Sequence, residues 1–273
     1  MSLMIFGTMI FLLLLGFPMM IPLIAGSLIG FVALFGGVGQ LDTMVQQILG
    51  GIRPASLIAV PMFIFAADIM TRGQSATRLI DLVMCFVGHL KGGLAVSTAA
   101  ACTLFGAVSG STQATVVAVG GPLRPRMLKA GYKDSFVLAL IVNASDIAFL
   151  IPPSIGMIIY GVVSGTSISE LFIAGIGPGL LILLLFSIYS YIYAVRHNVP
   201  VEAKATWRER GAAIRRALWP LGFPVIIVGG IYGGIFSPTE AAAACVLYAV
   251  ILEMGVFREM SLRQLIATAK STG

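Results

Sequence analysis

Charged residues are scarce in this sequence, and their scarcity excludes most soluble proteins. Of the 273 residues only 10% are charged and 58% are hydrophobic, and the mean hydropathy is +1.02. Soluble domains contain about 25% charged residues, so we expect an integral membrane protein. Residues 1–41 carry no charge. Without a basic n-region or a cleavage site, this segment is predicted to be a retained membrane segment rather than a signal peptide.

Cysteine and histidine are also rare. Cys85, Cys102 and Cys245 stand alone without the spacing of metal ligands, which argues against a metal centre or a redox role. A serine nucleophile within the membrane would need a positioned base. His89 and His197 lie outside the apolar runs, so intramembrane proteolysis is not expected. We predict no enzymatic activity and no cofactor.

The sequence also lacks the alternating ten-residue segments of outer-membrane barrels. It has apolar runs of helical length instead, which predict an all-α polytopic membrane protein surrounded by lipid. The net charge of +6 comes from basic residues in short segments between the apolar runs. There these residues set the orientation of the chain in the membrane, so we expect no nucleic-acid partner.

One uncharged stretch has an unusual length. Residues 92–123 lie between Lys91 and Arg124 and have small polar residues, 109–113, at their centre. As one helix the stretch would be roughly 48 Å long at 1.5 Å per residue, against roughly 30 Å of hydrocarbon core. Two full crossings would need about 40 residues. We therefore predict a re-entrant hairpin of half-depth helices over residues 92–130.

A second break is predicted in the broken helix of residues 135–165. Consecutive prolines, Pro152 and Pro153, cannot continue a helix, so the chain must unwind near its middle. Asn143, Ser145 and Asp146 precede the break, and Asp146 is the one formal charge between Asp134 and Glu170. Polar backbone at membrane depth occurs only where protein or a water-filled cavity satisfies it.

The two breaks together have the chemistry of a cation site near the bilayer midplane. Unwound carbonyls and hydroxyls can replace the hydration shell of sodium, and helix N-termini favour an anionic substrate group. The predicted cation ligands are Ser109, Gly110, Ser111, Thr112, Asn143, Ser145 and Asp146. The predicted substrate contacts are Ser111, Gln113, Pro152, Pro153 and Ser154. Two simpler interpretations stay open: small residues that only allow close helix packing, and Asp146 as a helix cap rather than a cation or proton ligand.

Basic segments orient the remaining helices. Residues 196–216 lie between two apolar spans and are rich in basic residues, so we predict that they form a cytoplasmic loop. Ser237-Pro238-Thr239-Glu240 predicts a capping box at the start of a helix. Asp68 lies near the end of a short apolar helix and is interpreted as interfacial.

At these positions the sequence resembles the large membrane subunit of tripartite ATP-independent periplasmic (TRAP) transporters. The matching segments follow the family order over nearly the whole chain. They are Leu15-Gly16-Phe17-Pro18, Pro61-Met62-Phe63-Ile64-Phe65, Gly88-His89-Leu90-Lys91-Gly92-Gly93-Leu94, Ser109-Gly110-Ser111, Lys129-Ala130-Gly131-Tyr132, Ile151-Pro152-Pro153-Ser154, Ile158-Ile159-Tyr160-Gly161 and residues 233–243.

The resemblance implies a sodium-coupled elevator-type importer of an organic acid anion, of the sialic acid or C4-dicarboxylate type. It implies a bacterial inner-membrane location, a small four-helix membrane subunit and a periplasmic substrate-binding protein as partners. Residues 1–91 would be scaffold helices with an interfacial amphipathic helix, and residues 92–169 would belong to the transport domain. Residues 170–273 would be scaffold helices with the loop 196–216 and the start of a second repeat.

The sequence departs from the family pattern in two respects. The family usually has a glycine where Ala148 stands and a small or hydroxyl residue where Asp146 stands. It also has a second inverted repeat of which this sequence holds only the beginning, so we expect either a fragment or a half completed by another polypeptide. The alternative function is a membrane scaffold subunit without transport activity.

Overall fold

The computed structural model describes residues 2–35 and 41–272, and these residues are helical with no β-strand among them. The all-α prediction is therefore confirmed. Within the described ranges, four helices are long and apolar enough to cross a membrane, namely Ala55–Arg72, Ile168–Arg196, Trp207–Tyr232 and Pro238–Val256. The chain divides into two compact units, Met1–Pro54 and Ala55–Gly273.

Three helices lie among the described residues of the first unit: α1 (Ser2–Leu14), α2 (Met20–Phe35) and α3 (Leu41–Gly51). The chain turns between α1 and α2 at Gly16, which has a φ of 81°. Pro18 follows directly and cannot donate a backbone hydrogen bond to a continuing helix. The chain therefore breaks between these two helices at residues 16–18.

The second unit begins with a short 3₁₀ turn (Ala55–Ile58) and continues through ten α-helices among its described residues. Their bounds are α4 (Ala59–Arg72), α5 (Ser75–Val87), α6 (Gly93–Ser109), α7 (Thr112–Lys129), α8 (Asp134–Ser145), α9 (Ile155–Ser164), α10 (Ile168–Arg196), α11 (Trp207–Tyr232), α12 (Pro238–Val250) and α13 (Leu262–Thr272). A 3₁₀ turn (Asp146–Phe149) follows α8, and a π-helical turn (Ile251–Val256) follows α12.

Helix α6 is the central element of one of the two hydrophobic cores. Most of its residues are small and buried, and it contacts α5, α7, α8 and α10. Small side chains let neighbouring helices approach closely, which is how membrane helices pack without a large hydrophobic driving force. The second core joins α4, α9, the start of α10, α11 and α12 around residues such as Phe63, Phe172 and Phe223.

The hairpin helices are longer than the sequence suggested. Helix α6 has 17 residues and α7 has 18, which gives each a length of about 26 Å, against roughly 30 Å for the hydrocarbon core. The length argument counted only residues 92–123, although the predicted hairpin extends to residue 130, and residues 124–129 continue α7. Both helices nevertheless meet at a turn at residues 110–111, where the polar tip was predicted.

The prediction of a loop over residues 196–216 is wrong for its second half. Helix α11 begins at Trp207, because Thr206 accepts a hydrogen bond from the Glu209 amide while the Glu209 carboxylate accepts from the Thr206 amide. Arg210 therefore lies on a helix. Its Nε donates to the Cys85 carbonyl oxygen at 3.2 Å, so a charged side chain taken for a solvated loop residue joins α11 to α5.

Candidate functional site

The tip of the hairpin is a compact turn between α6 and α7. Gly110 has a φ of 60°, a left-handed conformation that glycine adopts without a steric penalty. Ser111 then caps α7 by accepting a hydrogen bond from the Ala114 amide at 3.5 Å. The Ser109 and Thr115 hydroxyls are 3.1 Å apart, and Thr115 also donates to the Ser111 carbonyl oxygen at 2.8 Å. The turn therefore gathers several hydroxyl and carbonyl oxygens.

The tip packs directly against the break after α8. The Ile155 amide donates to the Gly110 carbonyl oxygen at 3.3 Å, which places the first residue of α9 beside the turn. A Cβ atom at Gly110 would overlap the Pro153 carbonyl oxygen. Ser154 caps α9 by accepting from the Met157 amide at 3.2 Å. The two predicted breaks therefore meet in space.

This meeting brings two helix N-termini together, those of α7 and α9. Each carries a positive partial charge from amides that lack intrahelical partners. Thr112, in the first turn of α7, has a buried hydroxyl oxygen with no hydrogen-bond partner among the described residues. A buried polar atom without a partner costs free energy, and a cation at this position would accept its lone pair. Hydroxyl and carbonyl oxygens are ligands for sodium, and the sodium site stays a prediction.

One helical turn before the tip, α6 also packs closely against the 3₁₀ turn that follows α8. A Cβ atom at Gly106 would lie 2.8 Å from both Cα and Cβ of Ala148, closer than carbon atoms pack. Ala148 stands where the resemblance described above leads us to expect a glycine. The methyl group there fits because its neighbour on α6 is a glycine.

The predicted cation ligands on α8 occupy two different environments. Ser145 is fully buried, and its hydroxyl donates to the Ile141 carbonyl oxygen at 2.7 Å. Asn143 and Asp146 are exposed, and the Asn143 amide donates to Ala139 of its own helix at 2.7 Å. The described residues bring Ser145 toward α6 but leave Asn143 and Asp146 on the exposed side of the element.

A cavity of about 340 Å³ lies on the outer side of the tip. It is lined by Ile64, Ala67, Asp68 and Thr71 from α4 and by Ser111, Gln113, Ala114 and Val117 from the start of α7. Sequence reasoning predicted Ser111 and Gln113 as substrate contacts but assigned Asp68 to an interface. No pattern in the sequence indicated that α4 would pack beside the tip.

Comparison with known proteins identifies the family of the chain. The model of the tripartite ATP-independent periplasmic transporter DctM component matches residues 6–273. The ectoine/5-hydroxyectoine TRAP transporter large permease protein of Ruegeria pomeroyi is 80% identical over 98% of the chain. The ectoine TRAP transporter large permease protein of Halomonas elongata is 76% identical over 98% of the chain. A C4-dicarboxylate TRAP transporter large permease protein of Pseudomonas aeruginosa is 44% identical over 77% of the chain and 49% of its own length.

The chain spans less than two thirds of the first two relatives, 63% and 62% of their lengths. The family match nevertheless covers nearly all of its residues, and the described helices are those of a multi-pass membrane protein. The family that the sequence resembled is thereby confirmed: the chain belongs to the DctM component family, the large permease subunits of TRAP transporters.

Proposed function

We propose that the whole permease containing this chain imports ectoine or a closely related organic solute by sodium-coupled transport. The observation that carries the proposal is the contact between the hairpin tip and the α8–α9 break, joined by the Ile155–Gly110 hydrogen bond. The two relatives with 80% and 76% identity are named for ectoine, so ectoine replaces the expected sialic acid or C4-dicarboxylate as the favoured substrate. Ectoine still carries the carboxylate of the organic acid class.

The proposed sodium site centres on the tip. Carbonyl oxygens at Ser109, Gly110 and Ser111 and the unpartnered hydroxyl of Thr112 are the groups that replace water around a sodium ion. Ser145 belongs to the predicted set on the buried side of α8, and Asn143 and Asp146 belong to it on the exposed side. The exposed pair is therefore tested separately from the tip.

The substrate carboxylate is proposed to bind at the N-termini of α7 and α9. Ser111 and Gln113 border the cavity at the tip, and Pro152, Pro153 and Ser154 form the break that packs against the tip. Amides that lack intrahelical partners favour an anionic group at such a position. Because the cation and the anion would share the same turn, binding of one favours binding of the other.

The proposal also includes the setting of the family. The permease would lie in the bacterial inner membrane, surrounded by lipid, with a small membrane subunit and a periplasmic substrate-binding protein as partners. Residues 92–169 would move as part of an elevator-type transport domain against scaffold helices from residues 1–91 and 170–273. No resident cofactor is proposed, since sodium is the coupling ion.

Uptake by the reconstituted whole permease with its partners tests the sodium assignment. We expect Ser109→Ala and Ser111→Ala, made separately, to raise the sodium concentration needed for half-maximal ectoine uptake. Ser187→Ala is the matched control, because Ser187 lies on α10 and its hydroxyl bonds only its own helix, at the Leu183 carbonyl oxygen. Unchanged sodium dependence in both tip variants would remove the cation site from the tip.

Asp146 needs its own measurement because it is exposed in the described part of the chain. Asp146→Asn removes the charge and keeps the shape of the side chain. If Asp146 is a cation or proton ligand, the variant changes the sodium or pH dependence of uptake. Identical dependence in wild type and variant would show that Asp146 only caps the end of α8. A complete absence of uptake by the wild-type assembly would favour the alternative scaffold function.

A further inference from the structure

The cavity beside the hairpin tip holds a carboxylate that the proposed sodium and carboxylate sites do not use. Asp68 is half-buried on α4 and lines the same cavity as Ser111 and Gln113. Its Oδ2 accepts a hydrogen bond from the Thr272 hydroxyl at 2.7 Å. Within residues 2–35 and 41–272, no basic nitrogen lies within 4.0 Å of this carboxylate. Its negative charge therefore has no paired cation there.

The basic residue nearest in sequence on the same helix is directed elsewhere. Arg72, one turn after Asp68, donates from Nη2 to the Ser271 hydroxyl at 3.2 Å. A half-buried carboxylate attracts a cation more strongly than a fully solvated one does, because the surrounding dielectric is lower. A positively charged group that entered the cavity would supply such a cation. The carboxylate thus makes one wall of the cavity suited to a cation.

The opposite wall has the reverse polarity. It is formed by the first turn of α7, where the helix N-terminus carries a positive partial charge. The Ser111 hydroxyl donates to Oε1 of Gln113 at 3.1 Å, which orients the amide of Gln113 and leaves its NH₂ group as a donor. One small cavity therefore has a negative side on α4 and a positive, donor-rich side on α7.

Apart from Thr71, whose hydroxyl donates to the Ala67 carbonyl oxygen of its own helix, the remaining lining is apolar. Ile64 and Ala67 on α4 and Ala114 and Val117 on α7 form the walls between the two polar ends. A volume of about 340 Å³ lies at the lower end of the range of small-molecule sites, which combine apolar walls with a few placed polar groups. The cavity therefore suits a compact molecule that carries both a positive and a negative charge.

Ectoine has this chemistry, because its six-membered ring carries a carboxylate and a delocalised amidinium cation. A C4-dicarboxylate has no cation and would place a second negative charge near Asp68. We propose that Asp68 binds the cationic end of a zwitterionic substrate whose carboxylate faces Ser111 and Gln113, and that it thereby determines specificity for ectoine-type solutes. This inference rests on the proposed function, since it assigns a residue to the same substrate.

Asp68→Asn is the variant that tests the assignment. It removes the charge but keeps an oxygen that can accept from the Thr272 hydroxyl. The measurement is the KM for labelled ectoine in the reconstituted whole permease with its partners. A charge-assisted hydrogen bond contributes enough that the KM should rise at least about tenfold. Asp81→Asn, an exposed carboxylate on α5 outside the cavity, is the matched control and should leave the KM unchanged.

A competitor without a cation separates recognition from general damage. Cyclohexanecarboxylate has a ring and a carboxylate but no positive charge, so it cannot use Asp68. We expect its inhibition of uptake to be unchanged or stronger in Asp68→Asn, while inhibition by unlabelled ectoine weakens. Equal weakening of both inhibitors would overturn the assignment. An altered sodium requirement with an unaltered KM for ectoine would also overturn it, since Asp68 would then be a cation ligand.

A second variant covers the case in which Asp68→Asn fails to accumulate in the membrane. Ala114→Leu narrows the cavity from the α7 side without touching the carboxylate, and it should raise the KM for ectoine while the sodium requirement stays the same. An unchanged KM in this variant would place the substrate outside the cavity.

If the wild-type permease takes up no ectoine, the proposed function itself fails. Uptake by wild type with no effect of either variant refutes only the role of Asp68 and its cavity.

Discussion

Replacing Gly110 with alanine is expected to disturb the contact between the hairpin tip and the break before α9. The glycine has a φ of 60°, so an added Cβ meets a backbone penalty even in free space. The same Cβ would overlap the Pro153 carbonyl oxygen. The Pro153 backbone just before α9 cannot rotate away as a flexible side chain can. The tip must therefore move away from the break.

The magnitude follows from two separate contributions. A left-handed conformation costs an L-residue about 1–2 kcal/mol, and overpacking of a filled contact costs about 1–3 kcal/mol. Gly110→Ala should therefore lower the free energy of unfolding by about 2–5 kcal/mol. Gly131 provides a matched control, because its φ is 89° but no atom lies within 4 Å of its added Cβ. Gly131→Ala should show only the backbone contribution, about 1–2 kcal/mol.

Thermal unfolding in detergent measures the difference. Cys102 and Cys245 are buried free thiols, so a thiol-reactive fluorophore reports on their exposure as the protein unfolds, in a Cys85→Ser background. One kcal/mol corresponds to about 2–4 °C in a protein of this size, so Gly110→Ala should melt several degrees below Gly131→Ala. Equal melting temperatures in the two variants would refute the contact between the tip and the break.

Three further changes test other parts of the fold by the same thermal measurement. Ser237→Ala removes the hydroxyl of a capping box and should cost about 1 kcal/mol, with no loss contradicting the cap. Ser75→Ala removes the hydroxyl donor to the fully buried carboxyl group of Glu253 and should cost about 1–3 kcal/mol. The Arg124 guanidinium lowers the pKa of Asp134 below its usual 3.8. Stability from this pair is therefore present above about pH 4 and is lost as the pH falls through the lowered pKa. In Asp134→Asn the acid dependence should be smaller, and an unchanged dependence would show that the exposed pair contributes nothing.

Helix breaks were predictable from the sequence because they have local causes. Pro18 lacks the amide that a continuing helix needs, and the adjacent Pro152 and Pro153 exclude the helical conformation from the residues before them. The capping box at residues 237–240 is likewise written in four neighbouring residues, and both of its reciprocal hydrogen bonds are present. Such signals depend on chain chemistry within one or two turns, so they need no knowledge of tertiary packing.

Features that depend on packing between distant segments were not predictable in the same way. Basic residues after position 206 look solvated in sequence, yet Arg210 is buried against the Cys85 carbonyl oxygen on α5. Asp68 is near the end of its helix, and only the approach of α4 to α7 places it beside Ser111. In both cases the deciding contact joins residues more than forty positions apart.

The predicted ligands on α8 show how the two kinds of information combine. Asn143 and Asp146 are three residues apart and share the exposed side of the element, whereas Ser145 points toward Cys102 on α6. One ion cannot be surrounded by groups on opposite sides of a helix. Within the described residues, an ion at the tip would therefore use the Ser109–Thr112 turn, because the Ser145 hydroxyl meets Cys102 about two helical turns before Ser109. It follows that Ser109→Ala and Asp146→Asn examine different surfaces, and a sodium effect in one does not imply an effect in the other.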